Sequence, residues 1–194
     1  MNVLFTTDSF APEAGGPPRS VTNLAKALSN KGVRVGLWAP DGSARTSPLA
    51  IGVERAVKLD GNATAMLERF RETDILHDNG LWRRSHHQLS ALCLDLELPR
   101  IVSTRGMLEP WAFKHKGLKK KIAWRAYQKR DLQVASFLHA TSESEAENLK
   151  ALGMDTPVAV IPNGANVPGQ AALEKLKSKS ERPACLVLSR LHPK

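Results

Sequence analysis

Asn2-Val-Leu-Phe-Thr-Thr7, then Asp8-Ser-Phe-Ala-Pro-Glu-Ala-Gly-Gly16, then Pro17-Pro-Arg-Ser-Val21 decide the fold. The first run is apolar and β-rich at Val3, Leu4 and Phe5. The third opens a helix. Its two prolines suit a first turn, where their missing N–H would be unpaired anyway. Val21, Leu24, Ala25 and Leu28 follow at helical spacing. Between strand and helix, Gly15 and Gly16 lack a Cβ, so their backbone can approach a ligand closely. Free N–H groups at a helix start attract anions, phosphate above all. An ordinary strand-to-helix turn is the competing reading. The G-x-G-x-x-G dinucleotide fingerprint is missing, so no nicotinamide is implied and no cofactor is expected.

Outward from this unit, β-rich runs alternate with helical stretches. Strands are expected near 2–7, 33–38, 53–57, 74–78, 100–104, 136–140 and 157–161, and helices near 17–30, 62–72, 84–97, 118–133 and 142–152. That alternation predicts an α/β fold, a Rossmann-like doubly wound parallel sheet. Gly32 and Gly153 follow helices as C-terminal caps do. Thr141 or Ser142 caps the helix that carries Glu143, Glu145 and Glu147. After Pro162-Asn163-Gly164 the pattern breaks. Residues 1–165 read as one domain, 166–183 as a linker, and 184–194, with the strand Ala184–Leu188, as the start of a second domain.

The chain has 194 residues, 42% hydrophobic, enough for a real core. Cys93 and Cys185 fit neither a C-x-x-C nor a zinc spacing, so reduced thiols, a cytoplasmic setting and no metal are expected. The apolar part of the N-terminus is too short for a signal peptide, and no run is long enough to span a bilayer. The formal net charge is +9, and eight basic residues from Lys114 to Arg130 lie in an acid-free window. Nucleic acid, a membrane surface and a phosphorylated substrate all suit such a charge. On one helical stripe Leu118, Ile122 and Ala126 accompany Lys119, Lys120, Lys121 and Arg125. This is an amphipathic pattern of membrane-surface type. The bland alternative is a solvated helix whose apolar stripe packs on its own sheet.

Several motifs together resemble one family. They are Phe10-Ala-Pro-Glu-Ala-Gly-Gly16, Ile75-Leu-His-Asp-Asn-Gly-Leu-Trp82, Val102-Ser-Thr-Arg-Gly-Met-Leu-Glu-Pro-Trp111, Ala140-Thr-Ser-Glu143 leading into Glu145, Ile161-Pro-Asn-Gly164 and Ser189-Arg-Leu-His-Pro-Lys194. In order and spacing they resemble the N-terminal half of the retaining glycosyltransferases of family 4, enzymes of GT-B fold with two Rossmann-like domains. The resemblance implies transfer of a sugar from a nucleotide-sugar donor to a saccharide or lipid-linked acceptor, in polysaccharide or lipopolysaccharide assembly, at the cytoplasmic side of a membrane. Many relatives carry histidine where this chain has Arg105, so that histidine's role does not transfer unchanged.

Gly15–Gly16, His77–Trp82, Arg105–Glu109 and Asn163 all follow expected strands, at the sheet edge where such folds bind ligands. The resemblance gives Gly16 to the donor phosphate, with Arg190 and Lys194 as further phosphate-binding residues. Arg105 is the catalytic candidate, holding a phosphate or an acidic acceptor through its planar fork. A surface salt bridge is its alternative. His77 contacts sugar or is structural. Trp82 and Trp111 stack on a sugar or close the core edge, with core favoured for Trp111. Glu109 and Asn163 complete the substrate-binding set. Two other classes compete: a non-catalytic acceptor-binding or membrane-docking module, and a basic nucleic-acid-binding protein. The latter has no RRM, KH or helix-turn-helix signature, so nucleic acid is not expected as a partner.

Overall fold

The computed structural model describes residues 1–114 and 117–165. Its sheet has seven strands: β1 (Asn2–Thr7), β2 (Arg34–Trp38), β3 (Val57–Leu59), β4 (Ile75–Asn79), β5 (Arg100–Ser103), β6 (Phe137–Ala140) and β7 (Val158–Val160). They lie in the order β3-β2-β1-β4-β5-β6-β7. Every pairing is parallel. This is the Rossmann-like doubly wound sheet that the sequence implied. The chain winds one way from β1 through β2 to β3, then the other way from β4 to β7. The winding reverses between β1 and β4, and ligands of such sheets bind beyond the carboxyl ends of the strands at such a reversal.

Alternation along β1 loads both faces of the sheet. Val3 and Phe5 join Val35, Leu37, Val21 and Ala25 on one face. Leu4 joins Trp38, Leu76, Met66, Phe70 and Leu89 on the other. The helices that supply these residues are α1 (Gly16–Asn30), α4 (Ala63–Arg69) and α5 (Arg84–Asp95). A third cluster closes the far end of the sheet with Val102, Leu132, Leu138, Ala146 and Leu149. Ser142 caps α9 (Glu143–Ala151), its side chain accepting from the Glu145 N–H. Gly32 and Gly153 end their helices with positive φ, as expected.

Two expectations change, and two short helices are added. The third strand is Val57–Leu59 rather than 53–57. Val53 and Ala56 are buried under a turn instead, whose carbonyls at Val53 and Glu54 accept from Lys58 Nζ. Two short helices, α2 (Ser43–Thr46) and α3 (Pro48–Ile51), precede that turn. The segment 118–133 is not one regular helix. After α6 (Pro110–Lys114) it runs as α7 (Gly117–Ala123), a π-helical turn at Trp124–Gln128, and α8 (Lys129–Gln133). The π turn changes the helical phase, so Trp124, Gln128 and Leu132 face inward while Leu118 and Ile122 do not. The compact unit spans Met1–Asn163. The linker 166–183, the strand 184–188, Arg190 and Lys194 lie outside the described residues.

Candidate functional site

Arg105 stands at the centre of the strand-end edge. Its φ is +51°, a left-handed conformation that costs a side-chain-bearing residue energy. The turn is fixed from a distance by Glu145, in the first turn of α9. One Glu145 carboxylate oxygen accepts from the Thr104 hydroxyl and the Gly106 N–H, the other from the Thr141 N–H and hydroxyl. Burial works to raise the pKa of Glu145, but these donors prevail and hold it below the ordinary value. So anchored, Arg105 reaches two side-chain carbonyls. Nη1 donates to Asn163 Oδ1 at 2.7 Å and Nη2 to Asn79 Oδ1 at 2.6 Å. Its Nε is buried without a partner. Among the described residues Arg105 joins no ion pair. Burial lowers the Arg105 pKa, with the Glu145 charge opposing. Among the described residues this half-buried cation is gripped by neutral amides, and its charge is not offset by a carboxylate in contact.

Beside it runs a chain of charges that the motifs did not reveal. Asp78, fully buried in β4, accepts from Thr6 Oγ1 at 2.8 Å and Arg100 Nη2 at 2.7 Å. Its Oδ1 also meets His86 Nδ1 at 2.6 Å. The other ring nitrogen of His86 meets Asp8 Oδ1 at 2.9 Å, and Arg83 Nε reaches that same oxygen at 3.0 Å. Burial alone would lower the pKa of His86, but Asp78 and Asp8 raise it to about 9, so the ring is an imidazolium. Burial likewise would raise Asp78, yet His86 and Arg100 hold its carboxyl well below the usual range. Gly80 makes room, since a Cβ there would sit 2.5 Å from His86 Nε2. Asp8 ends the chain at the rim of the crevice, directly after β1.

The other sequence candidates divide. Gly15, at φ 96° and ψ −136°, caps α1, and a Cβ on Gly16 would meet open space. Pro17 and Pro18 have no N–H, so few free donors remain in that first turn. His77 is buried at 8% exposure and takes part in a polar relay. Its Nε2 lies 2.7 Å from Ser103 Oγ, which lies 2.6 Å from His139 Nδ1, and His139 Nε2 lies 2.8 Å from the Ile161 carbonyl. The carbonyl only accepts, so His139 donates to it, Ser103 donates to His139, and His77 donates to Ser103. Burial, with His139 and Arg105 nearby, pushes the His77 pKa down to about 3, matching a neutral ring. The structural alternative thus accounts for His77. Glu109 Oε2 accepts from Asn148 Nδ2 at 2.7 Å, tying its loop to α9. The two tryptophans exchange the positions expected of them. Trp82 packs edge-on against Phe113 with centroids 5.5 Å apart, while Trp111 is 55% exposed. Trp82 also has a φ of +74°, and Tyr127 Oη donates to its carbonyl.

Comparison with known proteins now has a geometry to attach to. Residues 15–164 match the model of the glycosyl transferase 4-like domain. The chain belongs to the glycosyl transferase 4-like family. The glycosyl transferase 4-like sheet also superposes on solved structures. HepE of Anabaena in complex with UDP-glucose matches with a TM-score of 0.60 at 18% identity, over 92% of this chain and 49% of HepE. UDP-GlcNAc 2-epimerase from Neisseria meningitidis bound to UDP-GlcNAc matches with a TM-score of 0.56 at 16% identity, over 82% of this chain and 45% of the epimerase. A sucrose-phosphate synthase chain from Thermosynechococcus elongatus matches with a TM-score of 0.53 at 12% identity, over 92% and 96%. These likenesses agree with the N-terminal Rossmann-like domain of a GT-B fold. The chain spans about half the length of HepE. No curated protein sequence matches it.

The basic segment of this glycosyl transferase 4-like domain presents an outward face. Leu118 is 75% and Ile122 62% exposed, alongside exposed Lys114, Lys119, Lys121 and Arg125. The apolar stripe does not pack on its own sheet. Lys120 departs from that face: its Nζ donates to the Ala112 carbonyl at 2.5 Å and lies 5.4 Å from the Trp82 ring centroid. Among the described residues no helix is long and apolar enough to cross a membrane.

Proposed function

We propose that this chain is the acceptor-side half of a retaining glycosyltransferase. The enzyme moves a sugar from a nucleotide-sugar to a saccharide or lipid-linked acceptor in polysaccharide or lipopolysaccharide assembly. The observation that carries the reading is Arg105: a half-buried guanidinium at the strand-end edge, bound by Asn79 and Asn163 and, among the described residues, by no carboxylate. Such a cation stabilises negative charge that grows on a departing phosphate or rests on an acidic acceptor. The open backbone at Gly15 and Gly16 suits the approach of a donor phosphate. Solved structures of HepE with UDP-glucose and of the epimerase with UDP-GlcNAc favour a uridine-type donor for the shared fold. Arg190 and Lys194 are further phosphate ligands in this proposal. The reading puts the enzyme at the cytoplasmic face of a membrane. There the exposed Trp111, Leu118 and Ile122 enter the interface while Lys119, Lys121 and Arg125 meet anionic headgroups. A docking module without catalysis is the second reading, and that same face favours it.

The test is a turnover screen of the longest natural open frame that contains this chain, with a panel of nucleotide-sugars and lipid-linked or free saccharide acceptors. Product NMR reads the anomeric configuration. Transfer with retention supports the proposal, transfer with inversion refutes the mechanism, and absence of any transfer leaves the docking module as the surviving account.

A further inference from the structure

The crevice has a cationic arm in Arg105, and the structure gives it an acidic one. Thr7 pairs with Asn79 in the sheet, and Asn79 accepts from Arg105, so Asp8, after β1, and Arg105, after β5, stand on either side of the end of β4. We propose that Asp8 is a ligand-binding residue whose carboxylate accepts hydrogen bonds from the hydroxyl groups of a saccharide lodged between β1 and β4, with His86 as its positioning residue. The identity of the ligand as a saccharide rests on the proposed function. The existence of a built carboxylate site does not.

Four observations carry it. Asp8 Oδ1 is taken by His86 Nε2 and Arg83 Nε, while among the described residues no donor takes Oδ2. The Asp8 side chain is 29% exposed, while His86 behind it is 2% exposed. His86 is in turn fixed by Asp78, which Arg100 and Thr6 hold. Gly80 lets the imidazole lie against the backbone of the crevice, where any Cβ would displace it. Well-packed apolar groups in place of such a train of charges would cost a fold little, because desolvation offsets much of the attraction. What the train does deliver is one surface carboxylate in one orientation. Its chemistry narrows the ligand. Asp8 Oδ2 accepts and cannot donate, which suits the hydroxyls of a polyhydroxylated ligand. Among the described residues no group of three metal-ligating side chains exists.

The experiment is an amide-shift NMR titration of the 194-residue chain with glucose, mannose and galactose, each to high-millimolar concentration. The wild-type chain is expected to show shifts confined to residues 7–16 and 78–83. Asp8→Asn, which keeps the shape and loses the charge, is expected to weaken binding about tenfold or more. Arg83→Ala removes the solvent-side donor and is expected to weaken it less. Binding by the wild-type chain is expected to fade as pH passes about 9, where His86 loses its proton. The groups that face His86 are Asp78 from β4, Arg100 from β5 and Asp8 after β1. His86→Gln is expected to bind weakly at every pH. If Asp8→Asn fails to fold, Arg83→Ala and the pH series decide. Equal binding by wild type and Asp8→Asn, shifts elsewhere, or no shifts with any sugar overturns the proposal. In the complete enzyme, transfer with an unchanged acceptor KM in Asp8→Asn sinks this site alone. Saccharide binding through Asp8 in a protein that transfers no sugar sinks the enzymatic reading alone.

Discussion

Replacing His86 by glutamine removes a charge from the middle of a buried relay, and the cost depends on pH in a calculable way. In the folded chain His86 holds its proton up to about pH 9, against about 6.5 in an unfolded chain. The folded state therefore binds the extra proton throughout that interval. Its contribution to stability is complete below the unfolded value and is lost as pH rises toward the folded one. At about 1.4 kcal/mol for each pH unit, the loss is on the order of 3 kcal/mol. Urea unfolding followed by circular dichroism, at steps from about pH 6 to about pH 9, reads it directly. Above that interval Cys93, whose thiol burial pushes up to about 12, adds a loss of its own, so the series stops there. Below it the sign reverses. His77 stays neutral in the fold down to about pH 3, so protonation of the unfolded chain lowers stability as pH falls from about 6.5. Wild type should slope downward through the interval and His86→Gln should be nearly flat. A flat wild-type curve, or an equal slope in the variant, refutes the imidazolium assignment.

Arg105→Ala forfeits two hydrogen bonds to neutral amides, about 1 kcal/mol each, so melting should shift only modestly. In the complete enzyme its turnover should fall about a hundredfold or more. Arg105→Lys should not restore turnover, because an ammonium cannot span both amide oxygens as the planar fork does. An unaltered rate per folded molecule rules the role out. Gly80→Ala drives a methyl into the His86 ring and should cost about 3 kcal/mol in chemical denaturation, and a cost near zero contradicts the packing described. The chain should co-sediment with anionic but not neutral vesicles, with release by salt, since the attraction decays within about 8 Å at physiological ionic strength. Lys119→Glu, Lys121→Glu and Arg125→Glu together should abolish it without unfolding. Indifference of the wild-type chain to anionic vesicles at low salt ends the membrane reading.

The sheet was legible because buried parallel strands are written as local apolar runs. β1, β2, β4, β5 and β6 are continuous and bounded by turn residues. The third strand was misjudged because Val53 and Ala56 are as apolar as a strand requires, yet bury under a turn closed by Lys58. The π turn at Trp124–Gln128 adds a residue to a helical period, and a fixed period cannot register that. Arg105 and Asn163 stood out at strand ends, and the structure joins them. Asp78, His86 and Arg100 did not stand out, because each is an ordinary residue until β4, α5 and β5 bring them together. One signal was present: an aspartate in a strand expected at the centre of the sheet needs a cation, and Asp78 is such a residue. The core was favoured for Trp111 but took Trp82, since only the turn of the chain decides which aromatic meets Phe113.

Glu145 carries a consequence for anyone who would move this site elsewhere. The loop that aims Arg105 is short and contiguous, and it looks portable. Yet its left-handed turn is held by a carboxylate some forty positions later, through Thr104 and Gly106 on one oxygen and Thr141 on the other. A transplant of residues 103–109 alone would carry the guanidinium and leave its aim behind. The smallest unit that carries the turn is the loop together with the opening turn of α9, and the guanidinium also needs Asn79 and Asn163 to receive it. For the same reason, drift at Glu145 would silence Arg105 without touching it.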